Sequence, residues 1–291
     1  MLFRRLFARS ARMARPAAFR PQVEVLESRT VLSTIPRLPV SPAIGVTAVV
    51  IVNPGESIQA AVDAAQPGTE ILLEPGIYLQ SVVVSTPNII LTGLKGPHGE
   101  GVTIQNPGDV DQGIIAMPTA SGFMLTNLTV RDFGEDGVLL EGVTGFTLSK
   151  ITAQDNGEYG LFPVFSSFGV ITGCTASGHH DTGIYVGQSA FIGVTSNRTF
   201  DNVNGIEIEN SSHIGVVGND TFNNTAGILV DLLPGLDVTT SSDIVLAHNF
   251  VHDNNRANDG DPGSIESFVP SGTGILVLGA DHVTKIGRAH V

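Results

Sequence analysis

A glycine followed by an apolar–any–apolar triplet recurs through the chain, at Gly113, Gly137, Gly160, Gly183, Gly205, Gly227 and Gly274. The spacings are 24, 23, 23, 22, 22 and 47 residues, the last close to two periods. A fixed period of this kind marks a repeat architecture, in which each unit buries its apolar face against its neighbours. The period is too short for a strand–helix–strand unit, which takes about 30 residues. The Leu-x-x-Leu-x-Leu ladder of leucine-rich repeats is also missing. Each period holds a second strand-like run, such as Phe146–Ala153, Ile192–Phe200 or Ile214–Phe222, set off by turn formers such as Asp155–Gly157 and Asn223–Asn224. Three strands of about five residues each, with turns, fill such a period. The predicted fold is therefore all-β: a right-handed single-stranded parallel β-helix with coils of about 22–23 residues.

Period-two alternation assigns the faces. Ile114, Val138, Leu140, Leu161, Ile184, Val186, Ile206, Ile208, Ile228, Val230, Ile275 and Val277 are expected to point inward, and the residues between them outward. The single cysteine, Cys174, excludes an internal disulfide and a Cys-based zinc site, and is expected to pack in the core. Ahead of the repeat, Ile58, Ala61, Val62 and Ala65 share one helical face, with Ser57 as a cap and Pro67–Gly68 as a stop. A short capping helix there would cover the open end of the solenoid.

This helix, the following "EPGIY" and the G-I-x-V coils together resemble the pectate-lyase-like β-helix superfamily. Within it, "EYGLFPV" (Glu158–Val164), "DTGIYVGQS" (Asp181–Ser189), "NGIEIENS" (Asn204–Ser211) and "AGILVDLLPGL" (Ala226–Leu236) are similar to a group of exported bacterial parallel β-helix repeat proteins. The resemblance covers roughly residues 50–284 and implies the fold; it brings no settled activity with it.

Charge divides the chain. Residues 1–37 hold eight of the fifteen basic residues and two of the 28 acids, so the remainder is more acidic than the net charge of −13 suggests. Such a body repels nucleic acid, and no apolar stretch is long enough to span a membrane. Residues 1–45 read as a disordered, Arg-rich export leader, because "RPQVEVLESRTVLS" (Arg20–Ser33) resembles the N-terminal segment of exported planctomycete-type proteins. The β-helix is expected over residues 46–285. Residues 286–291, "IGRAHV", break the pattern and read as a non-native tail on a coil cut short.

Stacking by the period lines up candidate chemistry. Glu135, Glu158 and Asp181 fall two positions before successive anchor glycines and are candidate metal ligands, with Ca²⁺ the cofactor in view; His179, His180 and Tyr159 lie close by. On the outward side, Phe162, Tyr185 and Glu207 form one column, and Val164, Gly187, Glu209 and Asp231 the next. Outward carboxylates beside aromatic rings suit carbohydrate. Glu207, Glu209, Asp231, Asp181 and His180 are thus the candidate catalytic residues. Phe162, Tyr185, Gln188, Asn210 and Tyr159 are the candidate substrate-binding residues, with Gly187 leaving a gap in the wall. Insertions between Leu232 and Ser242 and between Asn254 and Gly272 lengthen the last coils; Asp259 and Asp261 in the second offer a further, weaker calcium site.

The expected function is an exported, monomeric protein that recognises, and in one version hydrolyses or eliminates, extracellular or envelope polysaccharide. No Lys or Arg falls clearly on the Glu207 face to act as base in uronate chemistry. The alternatives are a structural or partner-binding β-helix, or a relative of the copper-associated periplasmic β-helix proteins. Four Met and one Cys, with no soft-ligand cluster, speak against copper.

Overall fold

The computed structural model describes residues 45–287. Of the leader only Gly45 falls within it, and residues 288–291 of the expected tail lie outside the described residues. The chain winds through about eight turns of a parallel β-solenoid. Three parallel sheets run its length, of 10, 8 and 8 strands, each paired only with its own kind one coil away. In the middle coils the order is fixed: an anchor strand such as Asp136–Glu141, a second-sheet strand such as Thr147–Ser149, a third-sheet strand such as Thr152–Gln154, then the next anchor strand, Tyr159–Val164.

The repeated glycine has a steric cause. At Gly113, Gly137, Gly160, Gly183, Gly205 and Gly227 an added Cβ would lie closer than 3.0 Å to the carbonyl oxygen of the anchor glycine in the following coil. The coils approach so tightly at this corner that only a hydrogen fits, so the period of the sequence is the period of a backbone contact. The next residues alternate as the pattern requires. Ile184, Val186, Ile206, Ile208, Ile228 and Val230 are fully buried in one continuous core. Ile275 and Val277 depart from the expectation. Ile275 is only half-buried and Val277 is 41% exposed, because no further coil among the described residues covers theirs.

Polar side chains enter the core in columns. Oδ1 of Asn202, Asn224 and Asn254 accepts from the backbone N–H of His179, Asn202 and Asn224 respectively, at 3.1 Å each. Asn197, Asn219 and Asn249 do the same for Cys174, Asn197 and Asn219 at the next corner, at 2.9 Å each. These amides replace water for backbone groups that the tight corners would otherwise bury unpaired. Cys174 heads the second column; burial pushes its thiol up to about 12, so it packs rather than reacts.

The capping helix, α1 (Ile58–Ala64), forms where its pattern predicts. Ser57 Oγ accepts from Ala60 N–H at 3.1 Å, and Ile58 and Val62 are buried. It lies against Val82–Val84, the first anchor strand. Val83 N–H donates to Gln59 Oε1 at 2.7 Å, and Gln59 Nε2 donates to Val83 O at 2.9 Å. One side-chain amide thus stands in for the backbone of a missing neighbour strand.

Candidate functional site

The candidate residues lie on the outward face of the anchor sheet. Parallel registers pair Leu139 with Phe162, Tyr185 with Glu207, Glu207 with Leu229, and Glu209 with Asp231. The face therefore changes along the solenoid axis from apolar (Ile115, Leu139, Phe162), to aromatic, to acidic, and back to apolar at Leu229. Tyr159, Phe162 and Tyr185 form a compact group, with ring centroids 4.4 Å, 5.1 Å and 4.8 Å apart. Gly187 does not open a gap, as the sequence suggests: the Tyr185 ring folds across it, so that a Cβ there would collide with the ring. That bend brings the Tyr185 hydroxyl to Glu209, to which it donates a short hydrogen bond.

The acids meet on the next two coils. One oxygen from each of Glu207, Glu209 and Asp231 lies within 4.8 Å of the others, and this is the one group of potential metal-ligating side chains that close among the described residues. Thr182 Oγ1 lies 2.9 Å from Asp181 Oδ1 and 2.6 Å from Glu207 Oε2, and Asn204 Nδ2 donates to Glu207 Oε2 at 3.0 Å. A hydroxyl carries one proton, so when both carboxyls are ionised Thr182 satisfies only one of them. Glu207, Glu209 and Asp231 are 4%, 5% and 2% exposed, and no Lys or Arg forms an ion pair with them among the described residues. Burial, first of all, and then neighbouring negative charge, raise their pKa values. Glu209 is pushed up to about 7, with the Tyr185 bond pulling the other way, and Asp231 to about 8. Asp181 and Glu207 are raised well above the carboxylate range, after burial chiefly by Glu266 and Asp231 respectively. Asp136, on the same sheet two coils before Thr182, is likewise raised by burial, then by Glu158 and Glu135.

Both insertions cover this face, which alternation alone reads as open. Asn210 Oδ1 accepts from Leu233 N–H at 2.7 Å, and its Nδ2 donates to Leu233 O at 2.9 Å and Val238 O at 2.5 Å. Gln188 Oε1 accepts from Val238 N–H at 3.2 Å. Gln188 and Asn210 thus hold Leu233 and Val238 of the first insertion at the turns that follow their anchor strands. In the second insertion Val269 packs on Ala226 and Leu229, and Glu266 is close enough to raise both Glu209 and Asp231. Asp259 is held by Arg256 at 2.5 Å and 2.7 Å.

The other candidates spread out. Glu135 is half-buried and accepts from Gln112 Nε2 at 2.8 Å; Glu158 and His180 are exposed. His179 turns into the core, where Asn156 N–H reaches its Nδ1 at 3.3 Å. Thr182, Asn204 and Glu266 belong to the site although sequence reasoning passes over them. Thr182 and Asn204 were within reach of it, each directly preceding an anchor glycine; Glu266, in an aperiodic loop, carries no such signal.

This is the architecture of a solenoid with one decorated sheet. The family model for the right-handed beta helix region matches residues 88–232. The chain is a right-handed parallel β-helix protein. Among solved structures it is similar to the A-module of the Azotobacter vinelandii mannuronan C-5 epimerase AlgE4, at 19% identity and a TM-score of 0.51, covering 79% of this chain and 71% of that one. It is also similar to pectate lyase Pel9A, at 15% identity and a TM-score of 0.50, over 84% and 79%. A variant of the periplasmic alginate epimerase AlgG gives 15% and 0.51, over 81% of this chain and 55% of that one. At these identities the likeness is one of fold. No curated protein matches the chain. No helix among the described residues is long and apolar enough to cross a membrane.

Proposed function

We propose that this chain is an exported protein that recognises polysaccharide along the outward face of its anchor sheet. The observation that carries the reading is the succession on that face: a half-buried border of Ile115, Met117, Glu141 and Tyr159, the packed rings of Phe162 and Tyr185, then carboxyls. The half-buried strip of Ile115, Met117 and Tyr159, with the carboxylate of Glu141 on the same face, suits the faces and hydroxyls of sugar rings. The similar solved structures are, by name, enzymes of mannuronan, pectate and alginate, which makes polysaccharides the first partners to try. Elimination or epimerisation of a uronate calls for a base and a positive charge beside the substrate carboxylate, and among the described residues no Lys or Arg stands on the outward strand positions of this face. Recognition without turnover is therefore the favoured version. Glu209 and Asp231, register partners one strand spacing apart, are the pair on which hydrolysis would rest.

The test is a panel of neutral and acidic glycans run over immobilised protein, with product analysis. Retention that falls at least tenfold in Tyr159→Ala, without release of sugar, is the expected result. New reducing ends would make the protein a hydrolase, and unsaturated ends a lyase. Failure to retain any glycan would overturn the reading.

A further inference from the structure

We propose that the corner between the anchor sheet and the second sheet carries a stacking site for one uncharged sugar ring, with Phe168 as its platform. The inference goes beyond the anchor-face reading and stands without it. Backbone hydrogen bonds from Gly122 to Thr144, from Gly145 to Ser167 and from Phe191 to Ser212 set Gly122, Gly145, Phe168, Phe191 and His213 in one column, with Asn88 at its head. The φ angles of this column run from 55° to 78°. Glycine and asparagine take up that left-handed conformation readily, whereas a phenylalanine is strained by it. Phe165 repeats the exception one column over, at 52° where the preceding coil has Gly142. The core gains little from these rings: Phe165, Phe168 and Phe191 are 40%, 48% and 39% exposed. Backbone strain kept for exposed rings points to a use at the surface.

The rings border a slot. Phe168 and Phe191 stack at 4.9 Å with planes 1° apart, so the other face of Phe168 turns towards the coil of Gly145. A Cβ on Gly145 would meet nothing nearer than Gly122 N, at 4.0 Å. Over Gly122 leans the side chain of Asn88, its Oδ1 against the place that a Cβ would take. Coils stand about 4.8 Å apart, so one flat group fits between the Phe168 ring and the Asn88 amide. The hydroxyls of Thr144 and Ser167, 3.3 Å from each other, lie beside it. An aromatic face opposite an amide, with hydroxyls alongside, matches the apolar face and hydroxyl rim of a pyranose. Charge selects an uncharged one. The segments that turn this corner, from residues 85–88 to 210–213, hold Glu141 and no Lys or Arg, and the described residues carry 26 acids against six Lys and Arg. A uronate would meet an opposing field and no counter-charge.

The experiment titrates the full chain with neutral disaccharides (cellobiose, mannobiose, xylobiose) and, as the charged control, digalacturonate, read by saturation-transfer NMR. Disaccharides are short enough to report a site for one ring, whereas retention of polymer reports the anchor face. Expected are saturable binding of at least one neutral sugar and binding of digalacturonate at least tenfold weaker. Phe168→Asn should weaken the neutral sugar at least tenfold while melting no lower than wild type, because asparagine relieves the strain. Gly145→Asn keeps the ring but fills the slot, and should weaken binding as much; its melting curve shows whether it is folded. Absence of neutral binding, or a preference for digalacturonate, overturns the proposal. Binding that survives both folded variants but fails in Tyr159→Ala also overturns it and leaves the anchor-face reading standing. Concentration-dependent dimers in ultracentrifugation that Phe168→Asn abolishes would make the rings a contact between copies, and overturn it too.

Discussion

Replacing His179 by Asn should relieve an acid weakness built into the core. His179 is 1% exposed and occupies a rung otherwise held by asparagines: Asn156 stands one coil before it and Asn202 one coil after. Burial lowers its pKa from 6.5 to about 4, against the opposing pull of backbone hydrogen bonds with Asn156 and Ala153. In the unfolded chain the imidazole takes its proton near its ordinary value. Above that value both states hold it neutral and pH has no effect. As pH falls from about 6.5 to about 4 only the unfolded chain gains the proton, so stability drops by about 1.4 kcal/mol per unit, about 3 kcal/mol in all, and levels off below. An Asn in its place offers Oδ1 to Asn156 N–H and does not titrate. Urea unfolding of both proteins at several pH values between about 7 and 4 isolates this contribution, because the other titrating groups cancel in the difference. The variant should gain about 3 kcal/mol on wild type across that window. Parallel curves would show that His179 is protonated in the folded state or reached by water, and the reasoning would fail.

Asn202→Ala should cost roughly 2–4 kcal/mol in urea unfolding, because it strips the acceptor from His179 N–H and the donor from Asn224 Oδ1 and Ala176 O within the core. Gly183→Ala should cost about 1–3 kcal/mol by forcing its coil away from Gly205 O, with the same unfolding assay as the check; a neutral result would mean the corner yields easily. Tyr185→Phe removes the hydrogen bond that holds Glu209 down to about 7. A carboxyl raised in the folded state stabilises below its unfolded value and loses that stability as pH rises through the folded one. Tyr185→Phe should therefore lose more stability than wild type between about pH 5 and pH 8, measured by thermal melts.

The anchor glycines made the coils countable, and counting from them places Tyr185 beside Glu207 and Glu209 beside Asp231, as the registers do. Depth was not countable. Alternation reads "IEIE" as one buried and one wet face, but the wet face is roofed by two segments that belong to no period, and their course depends on Asn210, Gln188 and Val269 finding their places in three dimensions. The inward asparagines posed a different problem. Asn202 and Asn224 recur at a fixed offset before their glycines, yet a recurring Asn near a turn reads equally well as solvated turn chemistry. Only the spacing between coils makes its Oδ1 the partner of a backbone donor in the preceding turn. His179 hides for the same reason, since its exposed neighbour His180 is the more obvious candidate for chemistry.

The Gln59 amide that meets Val83 has a bearing on self-assembly. A stack of in-register parallel strands is a ready template for fibre growth, since each exposed rim offers the same row of donors and acceptors that the interior already uses. By occupying that row with a group that cannot itself be extended, a single glutamine on a two-turn helix terminates propagation from the anchor rim. Gln59→Leu would leave the core intact and hand the rim to whichever chain arrives next.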